Sequence, residues 1–195
     1  MIPENLRNYR IILASQSPRR QELLRMADVD FEVLTIADIP EDFPAEMPKS
    51  EVAEYLALKK IAAYKELWTR PKTLVIAADT IVVLGDDIMN KPADREEAIA
   101  MLKRLSDSMH TVLTGVAIRD SQKERSFTAR TNVYFKKLKD SDIEAYVDRY
   151  KPYDKAGGYG VQEYIGLIGV YRIEGSFYNV MGLPVSTLYE ELCAF

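Results

Sequence analysis

The sequence predicts an α/β protein built on a mixed β-sheet, and three observations carry that expectation. Strand-like apolar runs interleave with amphipathic helical stretches along the whole chain, the pattern of a sheet flanked by helices. The longest apolar run, Thr73–Leu84 (TLVIAADTIVVL), reads as a central strand. Two further β-like stretches, Thr111–Ile118 and Phe127–Phe135, follow one another directly through Asp120-Ser121. At 195 residues, the chain is about one ordinary domain, with two small lobes at most.

Each element has its own signal. Arg10–Ala14 (RIILA) reads as a buried strand, and Ser17-Pro18 opens a helix running to about Ala27, because serine at N-cap with proline at N1 is a specific helix start. Phe31–Thr35 reads as a second strand. Residues 36–48 hold three prolines and four acids and form a loop, after which a helix runs from about Ser50 to Trp68. Past the central strand, Asp86-Asp87 make a turn. Asp94 and Glu97 then resemble a capping box ahead of the helical face Ala98, Met101, Leu102 and Leu105. Ser141 to about Arg149 is helical, and a Gly-rich loop (DKAGGYG) follows Lys151-Pro152. A mixed segment ends in the strand Gly169–Ile173, and a last helix starts near Pro184.

Composition excludes several chemistries. One cysteine (Cys193) and one histidine (His110) rule out a disulfide framework within the chain and starve a Cys/His zinc site of ligands. A Ser-His-Asp triad would depend wholly on His110, whose default reading is a hydrogen-bonded strand residue. Catalysis therefore falls to Asp/Glu, Lys/Arg and a hard metal with oxygen ligands. The net charge of -4 argues against a general nucleic-acid or anionic-membrane surface. No run approaches the ~20 apolar residues of a membrane span, and the N-terminal apolar run is too short and too late for a signal peptide. A soluble, cytoplasmic protein with a reduced thiol is expected.

Against that background, Asp79 is the sharpest anomaly. Five apolar residues precede it and four follow Thr80. A lone carboxylate in a buried strand costs several kcal/mol unless it is paired, hydrogen-bonded or metal-bound. Asp79 is thus either a structural acid bonded to nearby backbone or a cation ligand or general base. Ser15-Gln16-Ser17-Pro18-Arg19-Arg20 joins a buried strand to a helix N-terminus, where free amides and the macrodipole suit a phosphate. The alternative there is a capped helix with solvated arginines. Lys60 falls near the apolar stripe Val52, Leu56, Ala63 and Leu67 and is either a snorkelling rim lysine or a charge delivered into a site. Lys91 and Lys155 are unspecific alone, and no P-loop or Rossmann glycine pattern is present. Asp79 with Asp38, Glu41 or Asp42 from the loop, plus the cations, suggests metal-assisted phosphate-ester or anhydride chemistry.

Taken in order, SQSPRR (15–20), AADTIV (77–82), NKP (90–92), DKAGGYGVQ (154–162) and GSFYNVMGLP (175–184) resemble the motifs of the Maf family of nucleoside triphosphate pyrophosphatases. The resemblance spans nearly the whole chain as a single domain of two lobes. It implies an elongated mixed sheet flanked by helices, with a central cleft, related to the inosine triphosphate pyrophosphatases. It also implies a homodimer and hydrolysis of a nucleoside triphosphate to monophosphate and pyrophosphate with magnesium or manganese. The D-K-A-G-x-Y-x-x-Q form resembles the branch acting on dTTP and UTP, extending to modified pyrimidine nucleotides; the 7-methyl-GTP branch has S-E where this chain has Val161-Gln162.

By the same resemblance, Asp79 and Glu41 would be catalytic metal ligands, with Lys60 and Lys91 also catalytic. Ser15, Ser17, Arg19, Arg20, Thr80, Lys155 and Gln162 would bind substrate. The loop match selects Glu41, and a one-residue shift selects Asp42. Glu163 stands where the family pattern usually has glycine. An association of the family with arrested septum formation implies an alternative role, a nucleotide-sensing regulator of division without turnover.

Overall fold

In the computed structural model, which describes residues 3–195, the chain forms a mixed seven-stranded sheet with helices interleaved along the sequence. The strands are β1 (Arg10–Leu13), β2 (Glu32–Val33), β3 (Thr73–Leu84), β4 (Asp87–Met89), β5 (Met109–Arg119), β6 (Glu124–Phe135) and β7 (Val170–Glu174). The helices are α1 (Pro18–Met26), α2 (Lys49–Ala62), α3 (Lys65–Trp68), α4 (Arg95–Leu105), α5 (Asp140–Tyr150), α6 (Tyr164–Gly169), α7 (Phe177–Met181) and α8 (Val185–Cys193). The sheet order is β2-β1-β3-β5-β6-β7, with β4 paired to β3. β1 runs parallel to both β2 and β3, whereas β3/β4 and β6/β7 are antiparallel. The mixed α/β class expected from the sequence is therefore observed.

The chain divides into two units, with β3, β5 and β6 contributing residues to both. Among the described residues, the first comprises 3–79, 114–129 and 182–195. Its β1/β3 register pairs Ile12 with Val75 and Leu13 with Ile76. Strand side chains alternate faces, so Ile12 and Ala14 share a face with Val75 and Ala77. That face packs on Ala57 and Ile61 of α2 and on Tyr64 and Trp68. Close approach of α2 is possible because β5 carries glycine there: a Cβ on Gly115 would lie 2.2 Å from the carbonyl carbon and oxygen of Ala53.

The helix expected from Ser50 to Trp68 is broken into α2 and α3. The Ile61 carbonyl accepts the Tyr64 amide (3.0 Å) and the Trp68 indole Nε1 (3.2 Å), a tightened turn in which a buried aromatic takes over a helix carbonyl. Tyr64 is buried, and its hydroxyl accepts the Ile36 amide at 2.9 Å, anchoring the start of the acidic loop. The strand expected over Phe31–Thr35 shrinks to two exposed residues in β2.

The second unit comprises residues 80–113 and 130–181. The turn placed at Asp86-Asp87 lies one residue earlier: Gly85 and Asp86 link β3 to β4, with Leu84 opposite Asp87. Asp94 caps α4 by accepting the Glu97 amide (2.8 Å), and Glu97 reciprocates by accepting the Ala93 amide (2.7 Å). His110 is buried and stacks on Phe135, and its Nε2 shares a 2.6 Å hydrogen bond with the Tyr159 hydroxyl. Burial lowers its pKa from 6.5 to about 4, so the imidazole is neutral at pH 7. Helices α6 and α7 occupy segments that the sequence left without a helix. In α7, the Ser176 hydroxyl accepts the Asn179 amide, and Asn179 Nδ2 donates to the Val112 carbonyl (3.2 Å) and Thr131 Oγ1 (3.0 Å). Those long-range partners stabilise a five-residue helix with no local periodicity to announce it.

Candidate active site

Strand periodicity explains where Asp79 points. It shares the parity of Val75 and Ala77, whose side chains face α2. On α2, Lys60 sits three residues beyond Ala57 and next to Ile61, both in that same apolar contact. Its stem therefore runs along the core and its ammonium emerges where the strand changes from Ala77 to Asp79. Lys60 Nζ donates to Asp79 Oδ1 and, at 2.7 Å, to Glu41 Oε1. Two carboxylates thus converge on one ammonium. The Asp79 and Lys60 side chains are 10% and 16% exposed, against 47% for Glu41, so the Asp79 arm is the strong one electrostatically.

The loop acids separate cleanly. Glu41 meets Lys60, whereas Asp42 pairs with Lys59 at 2.7 Å. Asp38 is exposed on a left-handed backbone (φ 57°). Geometry therefore brings Glu41, rather than Asp42, to the ammonium that Asp79 shares.

The strand-to-helix motif supports the same strand from below. Ser15 is buried, and its Oγ accepts the Ser17 amide (3.3 Å) and Arg20 Nη1 (3.2 Å). Ser17 caps α1, accepting the Arg20 amide at 3.5 Å, with Pro18 at the first helical position. Arg20 turns inward: Nη1 donates to the Ala78 carbonyl and Nε to the Gly182 carbonyl, both at 2.8 Å. It therefore fixes the peptide immediately before Asp79. Burial draws the Arg20 guanidinium below its ordinary pKa, while the charges of Asp79 and Glu41 oppose that shift; a guanidinium stays protonated throughout. In sequence the motif reads as a phosphate site or as a capped helix with solvated arginines, and neither reading contains this buttress, because Ala78 and Gly182 are 58 and 162 residues from Arg20.

Arg19, partly buried in α1, completes the predicted residues of the first unit, and the others belong to the second. Thr80 follows Asp79 in β3 and Lys91 is exposed. The NKP and DKAGGYG motifs meet, since the Gly157 amide donates to the Asn90 carbonyl at 3.1 Å. Lys155 is buried, with Nζ 2.8 Å from Asp154 Oδ1 and 3.3 Å from Glu163 Oε1. The Gln162 amide oxygen is buried with no hydrogen-bond partner among the described residues, a fact no sequence pattern announces.

Among the described residues, no group of three His, Cys, Asp or Glu side chains is placed to hold a metal. Asp79 and Glu41 instead offer a two-carboxylate set. That suits a magnesium ion, which is commonly bound by one or two carboxylates with waters and substrate phosphates as its other ligands.

A buried strand carboxylate, joined through a partly buried lysine to an exposed loop acid and braced by an arginine at a strand–helix junction, is an acid and cation arrangement suited to phosphate chemistry in an α/β protein. The family model described as Maf-like protein matches residues 10–195, and the chain belongs to the Maf family. Similar curated relatives include the dTTP/UTP pyrophosphatase of Parabacteroides distasonis, 54% identical over 98% of this chain and 99% of that one. The dTTP/UTP pyrophosphatase of Porphyromonas gingivalis is 50% identical over 98% and 97%. Among solved structures, a HAM1 protein from Coxiella burnetii is similar with a TM-score of 0.49 and 15% identity, over 96% of this chain and 100% of that one.

Proposed function

We propose that this protein is a nucleoside triphosphate pyrophosphatase acting on dTTP and UTP, releasing the monophosphate and pyrophosphate. The single observation that carries the reading is the Asp79–Lys60–Glu41 cluster, in a chain about half identical over nearly its full length to proteins named for that activity. A buried acid, a lysine beside it and a second acid at the solvent edge suit a reaction that must activate water and neutralise phosphate charge.

In the proposed step, a water oxygen bonds to the α-phosphorus as the bond to the bridging α–β oxygen breaks. Asp79 accepts the water's proton, and pyrophosphate departs with the electrons of the broken bond. Lys60 orients the Asp79 carboxylate through its hydrogen bond, and Arg20 holds the preceding peptide still. Arg19, Arg20, Lys60 and Lys91 are assigned to the triphosphate charge, with Ser15, Ser17, Thr80 and Lys155 as further substrate contacts. Asp79 and Glu41 would hold a magnesium or manganese ion, which supplies Lewis-acid polarisation of phosphate oxygens. Gln162 supports the choice of base. Its unpartnered amide oxygen suits a donor, and the N3–H of uracil or thymine is one, whereas cytosine presents an acceptor there. Modified pyrimidine nucleotides with the same N3–H belong to the substrate class. A homodimeric, cytoplasmic enzyme completes the proposal. Among the described residues, no helix is long and apolar enough to cross a membrane.

The test incubates pure protein and magnesium with dTTP, UTP, CTP and GTP. Pyrophosphate release from dTTP or UTP, abolished by Asp79→Asn, is expected. Orthophosphate release would refute attack at the α-phosphorus, and binding without turnover would favour the nucleotide-sensing regulator.

A further inference from the structure

Glu163 is a carboxylate that the proposed chemistry does not use, yet it is held from several sides within the second unit. Its side chain is 19% exposed. Oε2 accepts the Tyr146 hydroxyl, and Oε1 lies 3.3 Å from Lys155 Nζ. Tyr146, from α5, is fully buried, and its oxygen also accepts the Gly160 amide at 3.0 Å. The Glu163 amide in turn donates to the Gly160 carbonyl at 3.0 Å, closing a turn over residues 160–163. A Cβ on Gly160 would lie 2.6 Å from Glu163 Cδ, so glycine is what lets the carboxylate fold back over its own turn. Burial, and then the bond to Glu163, push the Tyr146 phenol up, so the hydroxyl remains a donor.

This one side chain therefore ties α5, a tight turn and the Lys155 ammonium together. Gln162 lies inside that turn, with its unpartnered amide oxygen. A mere packing role for Glu163 would not require a lysine ammonium as one of its partners, nor a turn carrying a buried acceptor without a donor. Buried ionic networks of this kind cost desolvation and are best attested where they fix one arrangement against alternatives.

We propose that Glu163 is a positioning residue for pyrimidine recognition. It holds the Gly160–Glu163 turn so that the Gln162 amide oxygen is presented to a ligand N–H, and it fixes the Lys155 ammonium. The inference rests on the nucleotide-hydrolase reading above.

Two variants test it. Glu163→Gln keeps the shape and removes the charge, and Tyr146→Phe removes one oxygen from an otherwise intact side chain. Each is measured for kcat and KM on UTP and CTP, and for Kd of the non-hydrolysable analogue α,β-imido-UTP. Glu163→Gln is expected to raise KM and Kd for the uridine nucleotides roughly tenfold, as when one charge-assisted hydrogen bond is weakened. Its kcat should stay within about twofold, and the preference for UTP over CTP should fall. Tyr146→Phe should move the same quantities in the same direction and by less.

KM, Kd and base preference unchanged in both variants would overturn the inference, as would a fall in kcat alone. If wild type binds the analogue without hydrolysing UTP, the hydrolase reading fails, and a raised Kd in the variants still supports positioning. A wild type that binds no uridine nucleotide overturns both. Should Glu163→Gln fail to fold, Tyr146→Phe carries the same comparison.

Discussion

Replacing Lys60 by methionine isolates the ammonium on which the proposed site depends. Methionine keeps most of the apolar stem against the α2 core and deletes only the charge. The Glu41 arm is half exposed and contributes at most about 1 kcal/mol. The Asp79 arm is of the buried kind, for which removal of one partner costs about 3–5 kcal/mol by leaving a charge uncompensated. Arg20 still acts on the same carboxylate, which places the expected cost near the lower end, about 3 kcal/mol. For a chain of this size, that lowers Tm by roughly 6–12 °C. Asp79→Asn removes the other charge and keeps the shape, so the double variant should recover about 2 kcal/mol relative to the additive sum. The assay is thermal and urea unfolding of the four proteins at pH 7.5, followed by circular dichroism. A Lys60→Met protein melting within 2 °C of wild type (at most about 1 kcal/mol), or a strictly additive double variant, would refute the argument that a buried pair organises this site.

Two further expectations follow from the core. His110 is neutral when folded, with a pKa of about 4 against 6.5 unfolded, so the unfolded chain binds the extra proton and stability falls as pH drops from 6.5 toward 4. Wild type should lose about 2.5 kcal/mol between pH 7.5 and 4.5 that His110→Phe does not lose, a difference of roughly 5–10 °C in Tm. Equal losses in the two proteins would contradict it, and the single histidine lets one imidazole NMR signal report the titration directly. Gly115→Ala drives a methyl into the Ala53 carbonyl, an overpacking that displaces backbone and costs about 3 kcal/mol or more. Unchanged unfolding of that variant would show that α2 can retreat from β5.

The fold class was legible because most strands and helices carry their own periodicity or cap, the short β4 being an exception. β3 is observed over the same residues that its apolar run marks, and Ser17-Pro18 and Asp94 start α1 and α4 where their side chains say. Local patterns were insufficient where distant partners decide. Trp68 captures the Ile61 carbonyl and breaks a helix that propensity alone would continue, while Thr131 and the Val112 carbonyl hold Asn179 and stabilise one that propensity would not start.

The candidate site divides the same way. Asp79 was conspicuous from sequence because a carboxylate inside an apolar strand is costly anywhere, and the shortage of histidine and cysteine pointed to carboxylate and cation chemistry. What those groups pair with was decided only in three dimensions. Loop acids one residue apart are nearly equivalent in sequence, yet Glu41 reaches Lys60 while Asp42 reaches Lys59. Arg20 reads in sequence as a phosphate ligand or a solvated helix arginine, and only the fold adds its bonds to the carbonyls of Ala78 and Gly182, both at 2.8 Å. Sequence determines which side chains cannot be left unpaired, because desolvation cost is a property of the residue and its local run. Tertiary structure alone selects the partner, because hydrogen bonds and ion pairs fall off over a few ångströms and those distances are set by packing.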